Sequence, residues 1–330
     1  MFDYMYQLDI KDKKILAELD LDARQSNAEI GKKVRLSKEV VKYRIDNMIK
    51  NGIIIRFHTV INYFKLGIQK YKLYLRLKNA DKEKLEELCQ FLKLNPHAEW
   101  VASCTGRWDV IVNFLVNNVN ELDEEVMKIQ NKYHDHIKEK AIATTLYLVH
   151  HLREYLGKSN VVENIIYHTS KDPKEEIDKT DNELLRLLAN NARMPVTELA
   201  SRMKTTSRVI QYRMRQLEKK QIILAYKCQL DARMMGNIFC KGIFYISNIT
   251  GQQLKSFISY CSNIKEAVWP QQVIGNWDFE LDIEVKDYER SQEIISEVKN
   301  RFAEIVSNSE FCIVSKEYKL DLFPDAYPKY

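Results

Sequence analysis

The chain has 330 residues, 45% of them hydrophobic, with 51 Lys and Arg against 46 Asp and Glu, a formal charge of +5. That length accommodates two to four domains and the apolar content is enough for real cores. No apolar stretch approaches a membrane span and no early basic-then-apolar run reads as a secretory signal, so the expectation is a cytoplasmic protein without a membrane partner. The cysteines (Cys89, Cys104, Cys228, Cys240, Cys261 and Cys312) show no Cys-x-x-Cys spacing and read as reduced, mostly buried thiols.

Residues 1 to 7 read as a loose leader. Asp9 is placed to cap a first helix through about Asp20, with Asp12 at its third position, where a carboxylate favours the positive helix end. Ile15, Leu16 and Leu19 form its core face. Ser26-Asn27-Ala28-Glu29 is a capping box that opens a second helix. Leu36 to Asn51 then reads as a third helix with Ser37 as N-cap. Val41, Ile45 and Met48 make its apolar stripe, and Lys38, Lys42, Tyr43 and Lys50 its outer face. This helix-turn-helix pattern suits the DNA major groove. The competing reading is a solvated amphipathic helix. Ile53 to Ile61 alternates as a strand or wing.

After Gly67 the period changes. Tyr71, Leu73, Leu75 and Leu77 alternate as a strand, and Lys82 to Leu94 is an amphipathic helix. Trp100 to Cys104 and Val110 to Val116 form a hairpin around Gly106. Glu121 to Tyr133 is helical, and Ile142 to Leu148 is a last strand. The order βαββαβ predicts a ferredoxin-like unit, an antiparallel sheet with helices on one face. Such a sheet leaves its other face to be covered, so these domains are expected to pair, within one chain or between chains.

A shift of 169 positions carries the first half onto the second without a gap. Asp9 and Asp12 match Asp178 and Asp181, Ala23-Arg24 matches Ala192-Arg193, Val40 matches Val209, and Tyr43-Arg44 matches Tyr212-Arg213. Ile53-Ile54 matches Ile222-Ile223, Trp100 matches Trp269, and Gly106 and Trp108-Asp109 match Gly275 and Trp277-Asp278. The chain is therefore a duplicated unit of roughly 150 residues. The repeat predicts strands near Phe239 to Ile246, Val268 to Ile274, Asp278 to Val285 and Phe311 to Tyr318, with helices near Gln252 to Cys261 and Tyr288 to Phe302. Pro195 replaces Ser26, and Gln221 replaces Gly52, so a differently built turn is expected before the second wing. Residues 157 to 176 read as a linker, with Val161 to Tyr167 a candidate short ordered piece.

Charge follows the repeat. Residues 1 to 62 hold 12 Lys and Arg against 9 Asp and Glu; residues 177 to 231 hold 11 against 6, and the remainder is net acidic. Phosphate attraction accounts for positive charge concentrated on the two helix-turn-helix segments.

Leu8-Asp9-x-x-Asp12-x-x-Ile15-Leu16, Ala23-Arg24, Ser37-x-x-Val40-x-x-x-Arg44-Ile45, Gly52-Ile53-Ile54 and Leu66-Gly67 together resemble the Lrp/AsnC (feast/famine) transcription regulators, through both halves of the chain. The resemblance implies an α+β tandem: winged helix-turn-helix domains at 1–62 and 177–231, and ferredoxin-like βαββαβ (RAM-type) domains at 63–156 and 232–330. It implies a sequence-specific DNA-binding regulator acting on double-stranded DNA. The ferredoxin-like domains would mediate self-association and sense a small-molecule effector, often an amino acid. Family members are usually one such unit, so the fusion departs from the common form.

The candidate DNA-binding residues are Ser37, Lys38, Lys42, Tyr43 and Arg44, with Thr206, Ser207, Arg208, Gln211, Tyr212, Arg213 and Arg215. Arg and Gln read guanine and adenine edges, whereas Lys and Ser more often meet phosphate. For Arg44 and Arg213 the alternative is a bracing role. The candidate effector residues are Gly106, Arg107, Asp109, Gly275, Asn276 and Asp278, weighed against a plain hairpin with Trp in the core. His134, His136, His150 and His151 have no partner set for a metal and read as surface residues. No catalytic motif, cofactor or metal site is expected. The competing class is an enzyme of the same fold. The sirohaem decarboxylases resemble the chain at Arg56-Phe57, but their His-Asn-Tyr-x-Arg run is replaced by Trp100-Val-Ala-Ser-Cys104 and by Trp269-Pro-Gln-Gln-Val273. A third reading is a sensor or interaction protein that does not bind DNA.

Overall fold

The computed structural model describes residues 7–157, 174–247 and 249–324, and the backbone of 165–168. The proposed leader, apart from Gln7, lies outside them, as do 158–164 and 169–173 of the proposed linker. No helix among the described residues is long and apolar enough to cross a membrane. Two compact units form, and each takes elements from both halves of the chain.

The first unit contains the helices α1 (Ile10–Leu21), α2 (Asn27–Val34) and α3 (Lys38–Lys50) with strand β1 (Ile54–Ile61). Their matches from the second half join them in the same unit. The apolar stripes foreseen for these helices are buried, including Ile15, Leu16 and Leu19 on α1 and Val41, Ile45 and Met48 on α3.

The second unit begins with β2 (Gln69–Leu77), α4 (Lys82–Lys93), β3 (Ala98–Gly106), β4 (Val110–Val116), α5 (Val119–Tyr133) and β5 (Ile137–His150). A short strand, β6 (Ile165–His168), adds to β5. It overlaps the end of the ordered piece proposed in the linker.

The second half repeats the order. α6 (Lys179–Ala189), α7 (Val196–Arg202), α8 (Ser207–Lys219) and β7 (Ile223–Leu230) belong to the first unit. β8 (Ile238–Ile246), α9 (Gly251–Ser262), β9 (Ala267–Gly275), β10 (Phe279–Val285), α10 (Tyr288–Arg301) and β11 (Val306–Leu320) belong to the second.

The two wing strands pair antiparallel with each other, Phe57 opposite Cys228 and His58 opposite Lys227. What reads from the sequence as two separate wings is one ribbon shared by the two heads. The turns into the ribbon are built alike despite the exchange of Gly52 for Gln221. Both residues adopt positive φ, +73° and +55°, and the following amides bond back to Met48 and Leu217 at 2.9 Å. Gln221 thus occupies the left-handed region that costs an L-residue about 1–2 kcal/mol.

In the second unit the strand order β2-β4-β3-β11-β8-β10-β9-β5 closes on itself through a β2–β5 pairing. The two ferredoxin-like halves cover each other within one chain as an eight-stranded ring. The last strand of each half is longer than its alternation suggests, because it serves both halves. β5 pairs first with β2, up to Thr144, and then with β9 from Ala143 to Leu148. β11 likewise pairs with β8 up to Ile313 and with β3 from Cys312 onward. Residues alternate between two environments. Leu73, Val101, Val112 and Phe114 pack with Leu88, Leu92, Val126 and Ile129 of α4 and α5. Tyr74, Trp100, Ala102, Cys104, Trp108, Ile243, Val273, Trp277 and Cys312 form the cluster shared by the two halves. All six cysteines are free and buried.

That shared region also holds charge. Glu280 accepts hydrogen bonds from Lys72 Nζ at 2.6 Å, Lys241 Nζ at 2.9 Å and Trp277 Nε1 at 3.0 Å. Lys241 also donates to Asp282, which Gln271 reaches at 3.1 Å. Burial pushes Lys72 down to about 8. Burial opposes ionisation of Glu280, yet Lys241 and Lys72 outweigh it and hold the carboxyl below its ordinary value.

Candidate nucleic-acid interface

The local sequence builds each reading helix from its N-cap. Ser37 Oγ accepts from the Val40 amide and Thr206 Oγ1 from the Val209 amide, both at 3.3 Å. Lys38, Lys42 and Tyr43 on α3 are exposed, as are Arg208, Gln211, Tyr212 and Arg215 on α8; Ser207, the first residue of α8, is half-buried.

The charges on the two faces stand differently. On α3, Lys42 is paired with Asp46 at 2.6 Å and Lys38 lies 3.7 Å from Glu39. At the matched positions on α8, Arg208 and Arg215 replace those two acids. Neither arginine has an ion pair or hydrogen bond among the described residues. The second head therefore presents cationic groups free of local neutralisation.

Arg44 and Arg213 are engaged elsewhere. Arg44 Nη1 donates to Asp9 and Asp12 at 2.8 Å each. Arg213 Nη1 donates to Asp178 and Asp181 at 2.8 Å. Asp9 and Asp12 also form the capping box of α1. Each arginine thus ties the start of the first helix to the reading helix. Burial raises the Asp9 carboxyl, but the Asp12 amide and Arg44 outweigh it and hold it below its ordinary value, and Asp178 is lowered in the same way. Sequence reasoning missed these acids as partners, although both recur with the arginine under the same 169-residue shift.

A second reciprocal brace joins the heads. Arg24 donates to the Ala192 carbonyl, and Arg193 Nη1 donates to the Ala23 carbonyl at 2.8 Å. The Ala23 amide donates to the Tyr226 carbonyl and the Ala192 amide to the Phe57 carbonyl. Arg24 lies over the Tyr226 ring and Arg193 over the Phe57 ring, at 5.3 and 5.2 Å from the ring centres. The Ala-Arg repeat signal is a pseudo-two-fold clasp.

Five of the six residues considered for an effector have structural tasks in the ring. Asp109 accepts from the Leu77 amide and Asp278 from the Ile246 amide, both at 2.7 Å. Trp108 and Trp277 are buried in the cluster shared by the halves. Arg107 is held by Glu139 and Glu310. Gly106 faces Cys312 and Gly275 faces Ala143, where the two half-sheets meet. A Cβ on Gly106 would stand 2.7 Å from the Phe311 carbonyl, and one on Gly275 would collide with the Ile142 carbonyl. Asn276 is exposed beside this seam. His150, expected at the surface, accepts from Trp269 Nε1 at 3.1 Å. Among the described residues no group of three or more His, Cys, Asp and Glu is placed to hold a metal ion.

Two capped, exposed reading helices clasped through a shared ribbon define a winged helix-turn-helix DNA-binding protein. Residues 8–55 match the winged helix-turn-helix DNA-binding family model, and 177–218 match the AsnC-type helix-turn-helix domain. An HTH-type transcriptional regulator of Mycobacterium tuberculosis is 33% identical over 127 residues, 38% of this chain and 85% of its own length. The transcriptional regulator AzlB of Bacillus subtilis is 30% identical over 113 residues, 34% of this chain and 72% of its own. The chain belongs to the Lrp/AsnC family of transcriptional regulators, as two family units in tandem. The crystal structure of the sirohaem decarboxylase NirDL shares the whole fold, with a TM-score of 0.64 at 12% identity over 96% of this chain and 94% of that one. In the present chain Trp100, Ala102 and Cys104 of the compared run pack in the ring's shared cluster.

Proposed function

We propose that one chain acts as a sequence-specific transcriptional regulator whose two unlike heads bind one DNA duplex. The observation that carries this reading is the clasp: the β1–β7 ribbon and the Arg24 and Arg193 braces join both reading helices in one unit. A homodimer presents identical helices and prefers a palindrome. Here Lys42 is matched by Gln211, Glu39 by Arg208 and Asp46 by Arg215. Glutamine pairs bidentately with adenine, whereas lysine prefers guanine or phosphate. The half-sites are therefore unlike and lie about one helical turn, or a multiple of it, apart.

In this reading Ser37, Lys38, Lys42, Tyr43, Thr206, Ser207, Arg208, Gln211, Tyr212 and Arg215 face DNA, while Arg44 and Arg213 position the helices. The second head supplies more of the non-specific affinity. Because the ring closes within the chain, one chain carries both heads without needing a second copy to cover its sheets.

Selection from a random duplex pool, followed by two paired variants, tests the proposal. Arg208→Ala with Arg215→Ala should lose more affinity than Lys38→Ala with Lys42→Ala. Each pair should relax sequence preference in one half of the site. Equal losses on a symmetric site would refute the asymmetric reading, and absence of DNA binding at low salt would refute the regulator reading.

A further inference from the structure

The two reading helices differ in charge but share an exposed apolar pair. Val40 and Val209 are each 39% exposed, and Tyr43 and Tyr212 are 67% and 61% exposed. Among the described residues of this unit, these are the only large apolar side chains exposed at matched positions in both heads; exposed Ile10 and Ile49 are matched by Lys179 and Glu218. Each valine stands three residues before its tyrosine, so the two share a helix face. Neither phenol has a hydrogen-bond partner among the described residues.

Exposed valine is a costly choice in a helix, because its branched side chain loses rotamer freedom and exposes apolar surface. Each valine is the third residue of its helix and its amide is bonded to the N-cap. In helix-turn-helix proteins that end of the reading helix meets base edges. Basic side chains flank the pair on both heads: Arg208 and Arg215 on α8, unpaired among the described residues, and Lys38 and Lys42 beside Glu39 and Asp46 on α3. The DNA-reading role proposed above sets the pair against a polyanion. One apolar group on the floor of the major groove fits such a pair: the C5-methyl of thymine.

We infer that Val40 with Tyr43, and Val209 with Tyr212, form in each head an apolar contact for a thymine methyl group, giving the two otherwise unlike half-sites one shared A·T position. This rests on the DNA-reading role proposed above. It assigns the shared part of the site to the apolar pair and the divergent part to the charged neighbours.

The test uses the full chain and a duplex selected from a random pool. Each thymine is replaced singly by deoxyuridine, which removes the methyl and keeps every hydrogen-bonding group. One position per half-site should weaken binding about three- to fivefold, the effect of losing one buried methyl. Val40→Ala should abolish that sensitivity in one half-site and Val209→Ala in the other. Both variants should fold, since alanine is the better helix former, and circular dichroism checks this. Tyr43→Phe should keep the sensitivity, because the ring and not the hydroxyl makes the contact. Uniform tolerance of deoxyuridine, retained sensitivity in both valine variants, or variants that alter only self-association would overturn the inference. If no motif is selected at all, the DNA-reading role itself fails, which separates the two failures.

Discussion

Glu280→Gln isolates the buried charges of the ring. The glutamate is wholly buried and accepts from Lys72, Lys241 and Trp277. The substitution keeps the shape but leaves two lysines with Asp282 as the one remaining carboxylate of the network. Removing one partner of a buried pair costs about 3–5 kcal/mol. A ceiling comes from the alternative open to Lys72, which is to shed its proton. Burial already holds Lys72 at about 8 in the folded protein, so shedding its proton costs about 1.4 kcal/mol at pH 7 and nothing at pH 9. The share of the penalty borne by Lys72 is therefore at most about 1.4 kcal/mol at pH 7 and vanishes by pH 9. A total loss of about 1.4–5 kcal/mol at pH 7 corresponds to a Tm lower by about 3–20 °C for a unit of this size. All four tryptophans, Trp100, Trp108, Trp269 and Trp277, lie in this unit, so intrinsic fluorescence reports its unfolding separately from the heads. The double variant Lys72→Met with Glu280→Ile leaves Lys241 paired with Asp282 and should recover most of the loss. Ile111 stands at the matched position of the first half, so an aliphatic side chain is compatible with that site in the fold. A Glu280→Gln variant melting within about 2 °C of the parent, or a double variant no better than the single, would refute this account of the network.

Three further outcomes follow from the heads. If each neutralises about three or four phosphates, the log–log salt slope of DNA affinity should lie between about −5 and −7 by filter binding, and a flat dependence would contradict the electrostatic reading. Gln221→Gly should stabilise the first unit by about 0.5–1 kcal/mol in chemical denaturation, because the left-handed turn no longer carries a side chain; a loss would show the turn is not strained. Burial lowers His58 to about 3 and His151 to about 4. The unfolded chain takes up protons near the ordinary histidine pKa of about 6.5 that the folded unit refuses, so stability is full above that value and falls on acidification. Between pH 6.5 and 4.5 each histidine should contribute up to about 1.4 kcal/mol per pH unit, and His58→Gln should make the slope measured by circular dichroism shallower.

The apolar periodicity made the helices and the βαββαβ order legible, because each element buries one face and its pattern records that face. The 169-residue shift made the doubling legible. The associations between halves were not. Ile54 to Ile61 alternates in the same way whether it is a free wing or half of a ribbon, and nothing in that alternation names Ile223 to Leu230 as its partner. The lengths of β5 and β11 were missed for a related reason: their ends alternate to suit the opposite half-sheet. Gly-x-Trp-Asp reads from sequence either as a ligand site or as a hairpin with Trp in the core, and only the fold shows that Asp109 and Asp278 hold strand amides while Gly106 and Gly275 let two half-sheets approach. Of the buried charge network only the lysines recur under the shift, Lys72 matching Lys241; Ile111 and Asn113 stand at the positions matched to Glu280 and Asp282, so the acids left no repeat signal.

The pattern of what stayed equal and what diverged has a physical logic. In a homodimer any change on a reading helix appears twice, so the two half-sites cannot drift apart. In a fused chain each change appears once. The pairs that stay equal are those that meet across the pseudo-two-fold, Arg24 with Arg193 and Ala23 with Ala192, and those that hold each head together, Arg44 and Arg213 with their anchoring acids. Those are unchanged between the halves. The positions that meet nothing across the pseudo-two-fold, Glu39 against Arg208, Lys42 against Gln211 and Asp46 against Arg215, are exposed and differ between the halves. In the proposed reading their divergence is where two different half-sites act on one fold, and the unchanged Val40, Val209, Tyr43 and Tyr212 are where those half-sites agree.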